Sequence, residues 1–131
     1  MIELAVTSRQ PAELIDVTTV VRQAVGRSGL RDGAVLLFVP HTTAAVTVNE
    51  NADPDVVHDL LMELDKIVPL RDGYRHGEGN SAAHIKSTLV GVSQLLPVAD
   101  GEPVLGTWQG IYFCEFDGPR RRRLLLQVLT A

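Results

Sequence analysis

The chain has 131 residues, of which 45% are hydrophobic and 21% are charged, and its formal net charge is −4. This length and composition predict a single folded domain over residues 1–131 and exclude an intrinsically disordered chain. The negative net charge argues against a general nucleic-acid-binding protein, because such proteins carry a positive surplus that neutralises phosphates.

The cysteine content and the hydrophobic pattern indicate where the protein works. Its one cysteine, Cys114, cannot form an internal disulfide, and a buried, inert thiol is its simplest interpretation. No apolar run approaches the ~20 residues of a membrane helix, and the first residues lack a basic leader with an apolar core. We therefore expect a soluble, unprocessed, cytoplasmic protein with no membrane and no nucleic-acid partner.

The first third of the chain predicts two strands and a helix. Apolar and polar residues alternate over residues 2–7, as in a half-buried strand. Thr18 is a candidate helix cap, and Gly29 is a candidate left-handed end of the same helix. The continuous apolar run at residues 34–39 predicts a strand covered on both faces, with residues 46–48 as its partner.

A second helix has the clearest start in the sequence. Asp53 is a candidate cap, Pro54 suits the first helical position, and Asp55 faces the positive end of the helix dipole. The helix is predicted to run to about Ile67. Its inward face is expected to carry an apolar stripe, namely Val57, Leu60, Leu61 and Leu64.

The last part of the chain predicts one more helix and then strands. The helix begins at Asn80 or Ser81, buries Ile85, Leu89 and Ala82, and ends at Gly91. Strands are predicted at residues 93–98, 106–116 and 121–130, with a turn at residues 117–119. Helices in the first two thirds followed by a strand-rich end favour an α+β domain built on antiparallel sheet.

The glycine-rich segment before the third helix is a candidate anion site. Gly77 and Gly79 free the backbone, and the first turn at Ser81 presents unpaired N–H groups at the positive end of the helix dipole. Lys86 adds a positive charge in the second turn. His84 and Lys86 lie about 200° apart around the helix axis, so they cannot share one face. The alternative interpretation is an ordinary capped helix with Lys86 in solvent.

Three histidines lie in polar segments at the edges of elements. His41 follows the strand at residues 34–39, and His76 and His84 flank the glycine-rich segment. Neutral imidazoles of this kind suit an open metal site, whereas general acid or base residues and structural histidines remain equal alternatives. His58 lies on the polar face of the second helix and is interpreted as a surface residue.

Two further polar segments are candidates for ligand contacts. Asn49 and Glu50 have no evident structural role, and a hairpin-like return of the chain would bring them near His41. Acidic oxygens at such a place suit Mg²⁺. Trp108, between Thr107 and Gln109, is either a core tryptophan or an aromatic wall of a binding site.

The arginine run at residues 120–123 is interpreted mainly as a solvated shoulder of a hairpin. A strand directs only alternate residues to one side, so at most some of these arginines share a face. A phosphate contact by one of them is the less favoured alternative.

Several of these segments, taken together and in this order and spacing, closely resemble the YjbQ family, which is named for a secondary thiamine-phosphate synthase activity. The matching segments are His41-Thr42-Thr43-Ala44-Ala45, Asn49-Glu50-Asn51-Ala52-Asp53-Pro54-Asp55, Tyr74-Arg75-His76, Ala83-His84-Ile85-Lys86 and Gly106-Thr107-Trp108-Gln109-Gly110. The resemblance implies an α+β fold with an antiparallel β-sandwich and about three helices. It also implies a homotrimer with sites near subunit contacts.

The activity that the resemblance implies joins a pyrimidine-methyl pyrophosphate to a thiazole phosphate and releases pyrophosphate. For this activity we expect the catalytic residues to be His41, His76, His84, Glu50 and Lys86. We expect the substrate-binding residues to be Thr42, Thr43, Asn49, Tyr74, Asn80, Ser81, Thr107, Trp108 and Gln109. A divalent metal ion, zinc or magnesium, is expected at the three histidines. The alternatives are a metal-dependent hydrolase of a phosphorylated metabolite and a non-catalytic trimer that binds a metabolite or a metal.

Overall fold

A computed structural model describes all of residues 1–131. It contains two antiparallel sheets, with strand orders β1-β8-β3-β5-β6 and β2-β7-β4, and three helices. The elements are β1 Ile2–Thr7, β2 Glu13–Asp16, α1 Thr18–Ser28, β3 Gly33–Phe38, β4 Ala44–Glu50, α2 Pro54–Ile67, α3 Ser81–Val90, β5 Ser93–Ala99, β6 Glu102–Pro103, β7 Gln109–Glu115 and β8 Arg121–Thr130. The α+β fold with antiparallel sheets and three helices is confirmed.

The two sheets pack face to face around one hydrophobic core. Val35 and Leu37 of β3 and Phe113 of β7 are fully buried in it, so both sheets contribute their inner faces. Helix α1 closes the core with a buried stripe of Val21, Ala24 and Val25. This arrangement is a sandwich in which each inner strand face is apolar.

Helix α1 begins and ends where predicted, but its cap differs. Thr18 is the first helical residue, and the side chain of Asp16 accepts hydrogen bonds from the Thr18 N–H at 2.9 Å and from its hydroxyl at 2.5 Å. Gly29 ends the helix with a φ of 77°, the left-handed conformation that glycine adopts without a steric penalty.

The predicted pairing of residues 34–39 with residues 46–48 is wrong. Strand β3 pairs with β5 and β8, whereas β4 pairs with β7 in the other sheet. Only alternate residues of β3 are fully buried, and Phe38 is 41% exposed. The outward-facing residues Leu36 and Phe38 are apolar as well. The sequence of β3 therefore resembles that of a strand buried on both faces, although only one face is buried.

Helix α3 is rotated from the predicted orientation. Ile85 and Leu89 face outward, with 39% and 61% of their surface exposed. The buried face carries four mostly small or polar residues, Ala82, Ala83, Lys86 and Ser87. Small side chains let the helix approach β4 closely, and the Ser87 hydroxyl donates a hydrogen bond to the Ala44 carbonyl at 2.6 Å. This contact fixes the rotation of α3 against β4.

Helix α2 has the predicted start but a shallower packing. The Asp53 side chain accepts a hydrogen bond from the Asp55 N–H at 2.9 Å, and Pro54 occupies the first turn. The apolar stripe of Val57, Leu60, Leu61 and Leu64 is only half-buried, and no residue of α2 is fully buried. None of the three helices combines the length and apolar character needed to cross a membrane.

Gly33 is required at the start of β3. Its φ is 152°, and an added Cβ would collide with the Leu129 carbonyl oxygen of the neighbouring β8. We expect Gly33→Ala to lower the free energy of unfolding by about 1–3 kcal/mol through backbone strain and overpacking. Gly26→Ala is the matched control, because nothing lies within 4 Å of its added Cβ in α1. The control should stabilise the helix by ~0.5–1 kcal/mol. Equal denaturant midpoints for the two variants would contradict this account of β3.

Candidate functional site

An open cleft of about 1090 Å³ lies between the β3–β4 connection, the segment before α3, and the β7–β8 turn. The connection contributes His41, Thr42 and Thr43, which follow β3 directly. The lining residues from the other two segments are mostly polar or charged: His76, Glu78, Asn80, His84, Ser87, Thr88, Asp117, Arg120 and Arg122. The structure therefore brings the three predicted histidines to one cleft.

His76 and His84 form a pair at one wall of the cleft. Their ring centroids are 5.4 Å apart and the rings are nearly perpendicular. Glu78 lies on the same segment, with a carboxylate oxygen 4.0 Å from His76 Nε2. Tyr74 and Ser81 line a small adjoining pocket with the two histidines, and the Tyr74 hydroxyl donates to the Pro69 carbonyl at 2.6 Å. The pair thus lines both the cleft and this adjoining pocket.

His41 is fixed by the backbone of β8. Its Nε2 accepts a hydrogen bond from the Arg123 N–H at 3.0 Å. Burial lowers the pKa of His41 below its usual 6.5, and the charge of the nearby Arg122 guanidinium lowers the pKa further. The imidazole is therefore predominantly neutral at pH 7 and presents its other nitrogen, Nδ1, for further contacts.

The three histidines do not form a ready metal centre within one chain. No group of three or more His, Cys, Asp or Glu side chains in the structure is arranged to hold a metal ion. His41 Nε2 already accepts the Arg123 N–H. Zinc or magnesium at His41, His76 and His84 stays a prediction.

A buried ion pair, which the sequence analysis did not identify, lies at the floor of the cleft. Arg122 is 5% exposed and Glu115 is fully buried. Arg122 Nη2 lies 2.5 Å from Glu115 Oε2, and Arg122 Nε donates to both carboxylate oxygens, at 2.9 and 3.2 Å. The arginine run is therefore a solvated shoulder only in part, because Arg122 points inward. Alternation along β8 was the one sequence pattern that could have separated it from its neighbours.

Glu115 is held ionised by several donors. The Ser8 hydroxyl donates to Oε1 at 2.6 Å, and the Asp117 N–H donates to Oε2 at 3.0 Å. Burial alone would raise the pKa of Glu115, but the hydrogen bonds from Arg122, Ser8 and Asp117 outweigh burial and lower it below the usual 4.5. Thr43 completes the network, since its hydroxyl oxygen and carbonyl oxygen accept from Arg122 Nη2 at 2.7 and 3.2 Å.

Lys86 does not reach the histidine cleft. Its ammonium forms a short contact with the Asp65 carboxylate of α2 and lies 5.9 Å from the centre of the Phe116 ring. It lines a second cavity of about 440 Å³ on the other side of Asn80 and Asp117, two residues that line both cavities. The expectation that His84 and Lys86 face different ways is met. Gly79 and Asn80 of the glycine-rich segment line the second cavity with Lys86, so the anion site predicted there stays a prediction, in a cavity separate from the histidine cleft.

Glu50 and Asn49 lie at the far end of β4 from His41. The register pairs Ala44 with Glu115 beside the cleft, whereas Glu50 pairs with Gln109, six residues further along the ladder. At ~3.3 Å per residue the separation is about 20 Å, so a hairpin-like return does not bring them together. Asn49 is likewise too far along β4 to contact a ligand in the cleft of its own chain.

The Thr107-Trp108-Gln109 segment lies at that same far end. Trp108 is 64% exposed, so it is not a core tryptophan. Residues 107 and 108 form a turn rather than the start of a strand. The Gln109 N–H donates to the Gly106 carbonyl at 3.1 Å, and the Gln109 side chain accepts from the Gly106 N–H at 2.8 Å. Within one chain, Trp108 cannot form a wall of the histidine cleft.

Comparison with known proteins identifies the group to which this chain belongs. A family model described as UPF0047 protein YjbQ-like matches residues 2–131. The chain belongs to the YjbQ family. A UPF0047 protein of Methanocaldococcus jannaschii is 51% identical over 117 residues, covering 89% of this chain and 85% of that protein. The YjbQ-family relative YugU of Bacillus subtilis is 48% identical over 127 residues and 96% of both chains.

Solved structures of YjbQ-family proteins share the fold. A protein from Clostridium acetobutylicum, determined at 1.31 Å resolution, is 50% identical and superposes with a TM-score of 0.96 over 98% of this chain and 100% of that one. A protein of Sulfolobus solfataricus is 33% identical, with a TM-score of 0.94 over 98% and 95% of the two chains. The family assignment made from the sequence motifs is confirmed.

Proposed function

We propose that this YjbQ-family protein joins a pyrimidine-methyl pyrophosphate to a thiazole phosphate, with release of pyrophosphate. The observation that supports the proposal is the single cleft in which three imidazoles lie beside the buried guanidinium of Arg122. Its volume, about 1090 Å³, slightly exceeds the roughly 300–1,000 Å³ of most small-molecule sites and suits two substrates bound together. The identity of the reaction is inferred from the resemblance of the sequence motifs to the YjbQ family.

The proposed reaction makes modest demands on the protein. The bond between the methyl carbon and the pyrophosphate oxygen breaks, and its electron pair leaves with pyrophosphate. The thiazole nitrogen then donates its lone pair to the resulting carbocation and forms the new C–N bond. No proton transfer is needed, so catalysis rests on hydrogen-bond donors for the leaving group and on alignment of the two rings.

The cleft residues suit these demands. His76, His84 and Arg122 are donors that lie at its walls and floor, where a departing pyrophosphate would accumulate negative charge. Thr42 and Asn80 add hydrogen-bonding groups at the margin. The proposed roles of these five residues are binding and positioning of phosphates rather than acid or base catalysis.

An aromatic surface for the heterocyclic rings is proposed to come from a second subunit. Trp108 is exposed and about 20 Å along the sheet from the cleft of its own chain, by the strand rise of ~3.3 Å per residue. In the proposed homotrimer, the segment with Trp108, Thr107 and Gln109 packs beside the histidine cleft of a neighbour. Glu50 and Asn49 pair with Gln109 and Gly110 beside this segment, so they would also lie near the neighbour's cleft.

The proposal is tested by supplying both precursors to the purified protein and measuring thiamine phosphate and pyrophosphate by mass spectrometry. We expect both products in equal amounts. A His84→Ala protein purified in the same way controls for contaminating synthase, because a contaminant would survive the substitution. Wild-type protein that forms no thiamine phosphate would contradict the synthase proposal. Release of pyrophosphate without the coupled product, even with the thiazole present, would favour the hydrolase instead.

A further inference from the structure

The guanidinium of Arg122 is only partly used within the protein. Its Nε and Nη2 nitrogens donate to Glu115 and Thr43. The remaining nitrogen, Nη1, has no hydrogen-bond partner in the chain, which leaves two of the five guanidinium N–H groups without an acceptor.

The unpartnered nitrogen belongs to a residue that lines the cleft. Arg122 is 5% exposed, and the only side-chain nitrogen or oxygen that is both closed off from solvent and unpartnered is Asn80 Oδ1. Nη1 is therefore not closed off from solvent, and the residue that carries it lines the cleft. A nearly buried side chain held by this many contacts loses little conformational freedom when it binds a ligand.

Thr43 supplies a second donor next to the first. It is 4% exposed and lines the same cleft. Its hydroxyl oxygen accepts from Arg122 Nη2 at 2.7 Å, so the hydroxyl proton is free to point elsewhere, and no group of the chain accepts it. The two residues thus present adjacent, fixed donors without a matching acceptor.

The other cationic side chains near the cleft, Arg120 and Lys86, are paired with carboxylates elsewhere. Arg120 is at the rim, with a half-exposed side chain that bonds the carboxylate and carbonyl of Asp117. Lys86 lies in the second cavity with Asp65. An ion pair with Glu115 needs only a positive charge, whereas the planar fork of arginine can hold a carboxylate on one edge and an oxyanion on another.

We infer that Arg122 Nη1 and the Thr43 hydroxyl form the phosphate-binding floor of the cleft, and that they bind a terminal phosphoryl oxygen of a phosphate or pyrophosphate ester. This inference rests on the proposed function for the identity of the substrate, but the anion site is defined by the donors alone. Glu115 acts as a positioning residue, because it aligns the guanidinium without touching the ligand.

The test measures binding of inorganic pyrophosphate by isothermal titration calorimetry, without turnover. Arg122→Lys keeps a positive charge for Glu115 but removes Nη1, and Thr43→Val removes the hydroxyl without changing charge. We expect the Kd for pyrophosphate to rise about tenfold or more in Arg122→Lys, the loss typical of a hydrogen bond to a charged group. A smaller rise is expected in Thr43→Val. Arg121→Lys, an exposed neighbour on β8, is the matched control and should leave the Kd within about twofold.

A structure of the wild-type protein with pyrophosphate provides a second measurement that does not depend on any variant folding. A phosphate oxygen within about 3 Å of Nη1 is expected. Pyrophosphate bound beside Lys86 instead, or an unchanged Kd in folded Arg122→Lys, overturns the inference. Wild-type protein that binds no pyrophosphate overturns it as well.

The two proposals fail separately. Protein that binds pyrophosphate through Arg122 but forms no thiamine phosphate contradicts the synthase activity and retains the anion site. Protein that forms thiamine phosphate with the same KM in wild type and Arg122→Lys retains the activity and contradicts the anion site.

Discussion

Arg122→Met is expected to lower the free energy of unfolding by about 3–5 kcal/mol, the usual loss when one partner of a buried ion pair is removed. The substitution leaves Glu115, which is fully buried, without its guanidinium partner. The Ser8 hydroxyl and the Asp117 N–H remain as donors, but neither carries a charge. Glu115 must then either stay charged in a poorly compensating environment or take up a proton. Chemical denaturation at pH 7 measures the loss.

Two control variants separate the buried charge from simple loss of an arginine. In the double variant Glu115→Gln/Arg122→Met no charge remains at the floor, so most of the lost stability should return. Arg123→Met removes an exposed ion pair with Glu3, 2.6 Å long in the wild-type structure, and should cost no more than about 1 kcal/mol. A double variant as unstable as Arg122→Met would contradict the role given to the unpaired carboxylate.

The acid range gives an independent readout of the same pair. The folded-state pKa of Glu115 is lowered below its usual 4.5, so the unfolded chain binds its proton more readily than the folded chain does. The stability that Glu115 contributes is therefore present above about pH 4.5 and is lost as the pH falls through the lower, folded-state pKa. The stability difference between wild type and Arg122→Met should shrink over this acid window. A difference that stays constant down to pH 3 would contradict the assignment.

His84→Ala is expected to lower kcat for thiamine-phosphate formation by about 10²–10³-fold, the loss typical of removing one preorganised donor from developing charge. His84 lines the cleft and stands edge-on to His76, with ring centroids 5.4 Å apart. Its substitution removes one donor and releases the neighbouring ring. Steady-state kinetics at saturating concentrations of both precursors measure the effect.

His58→Ala is the matched control for this prediction. His58 is an exposed residue of α2 whose side chain pairs with Asp59, and it lies outside the cleft. It should keep kcat within about twofold, as surface substitutions usually do. If His84→Ala also keeps kcat within twofold, while the wild type is active, the wall formed by His76 and His84 has no part in the reaction.

Local patterns were enough to predict most of the fold. The start of α2 at Asp53-Pro54, the end of α1 at Gly29 and the extent of β8 were all marked by cap residues or alternation, and these depend only on near neighbours. Strand partners and helix rotation depend on distant contacts. The rotation of α3 followed from its close approach to β4, where small residues displaced the larger Ile85 and Leu89 to the outside.

The candidate site was predicted in part for the same reason. His41, His76 and His84 are polar residues at element edges, and such positions are visible in a sequence. Arg122 was hidden within a run of arginines that alternates between solvent and core. Glu115 follows an apolar stretch and looked like an ordinary strand residue. The pairing of Arg122 with Glu115 across the β7–β8 turn is a tertiary contact, which local sequence patterns do not predict.

The two cavities share a wall, which is formed by Asn80 and Asp117. Asn80 Nδ2 donates to the Asp117 carboxylate at 2.9 Å, and this bond ties the segment before α3 to the β7–β8 turn. Both residues line the histidine cleft and the cavity of Lys86. A ligand that moves this bridge in one cavity changes the shape of the other. Occupants of the two cavities would then alter each other's affinity by equal factors, because linkage between binding sites is reciprocal.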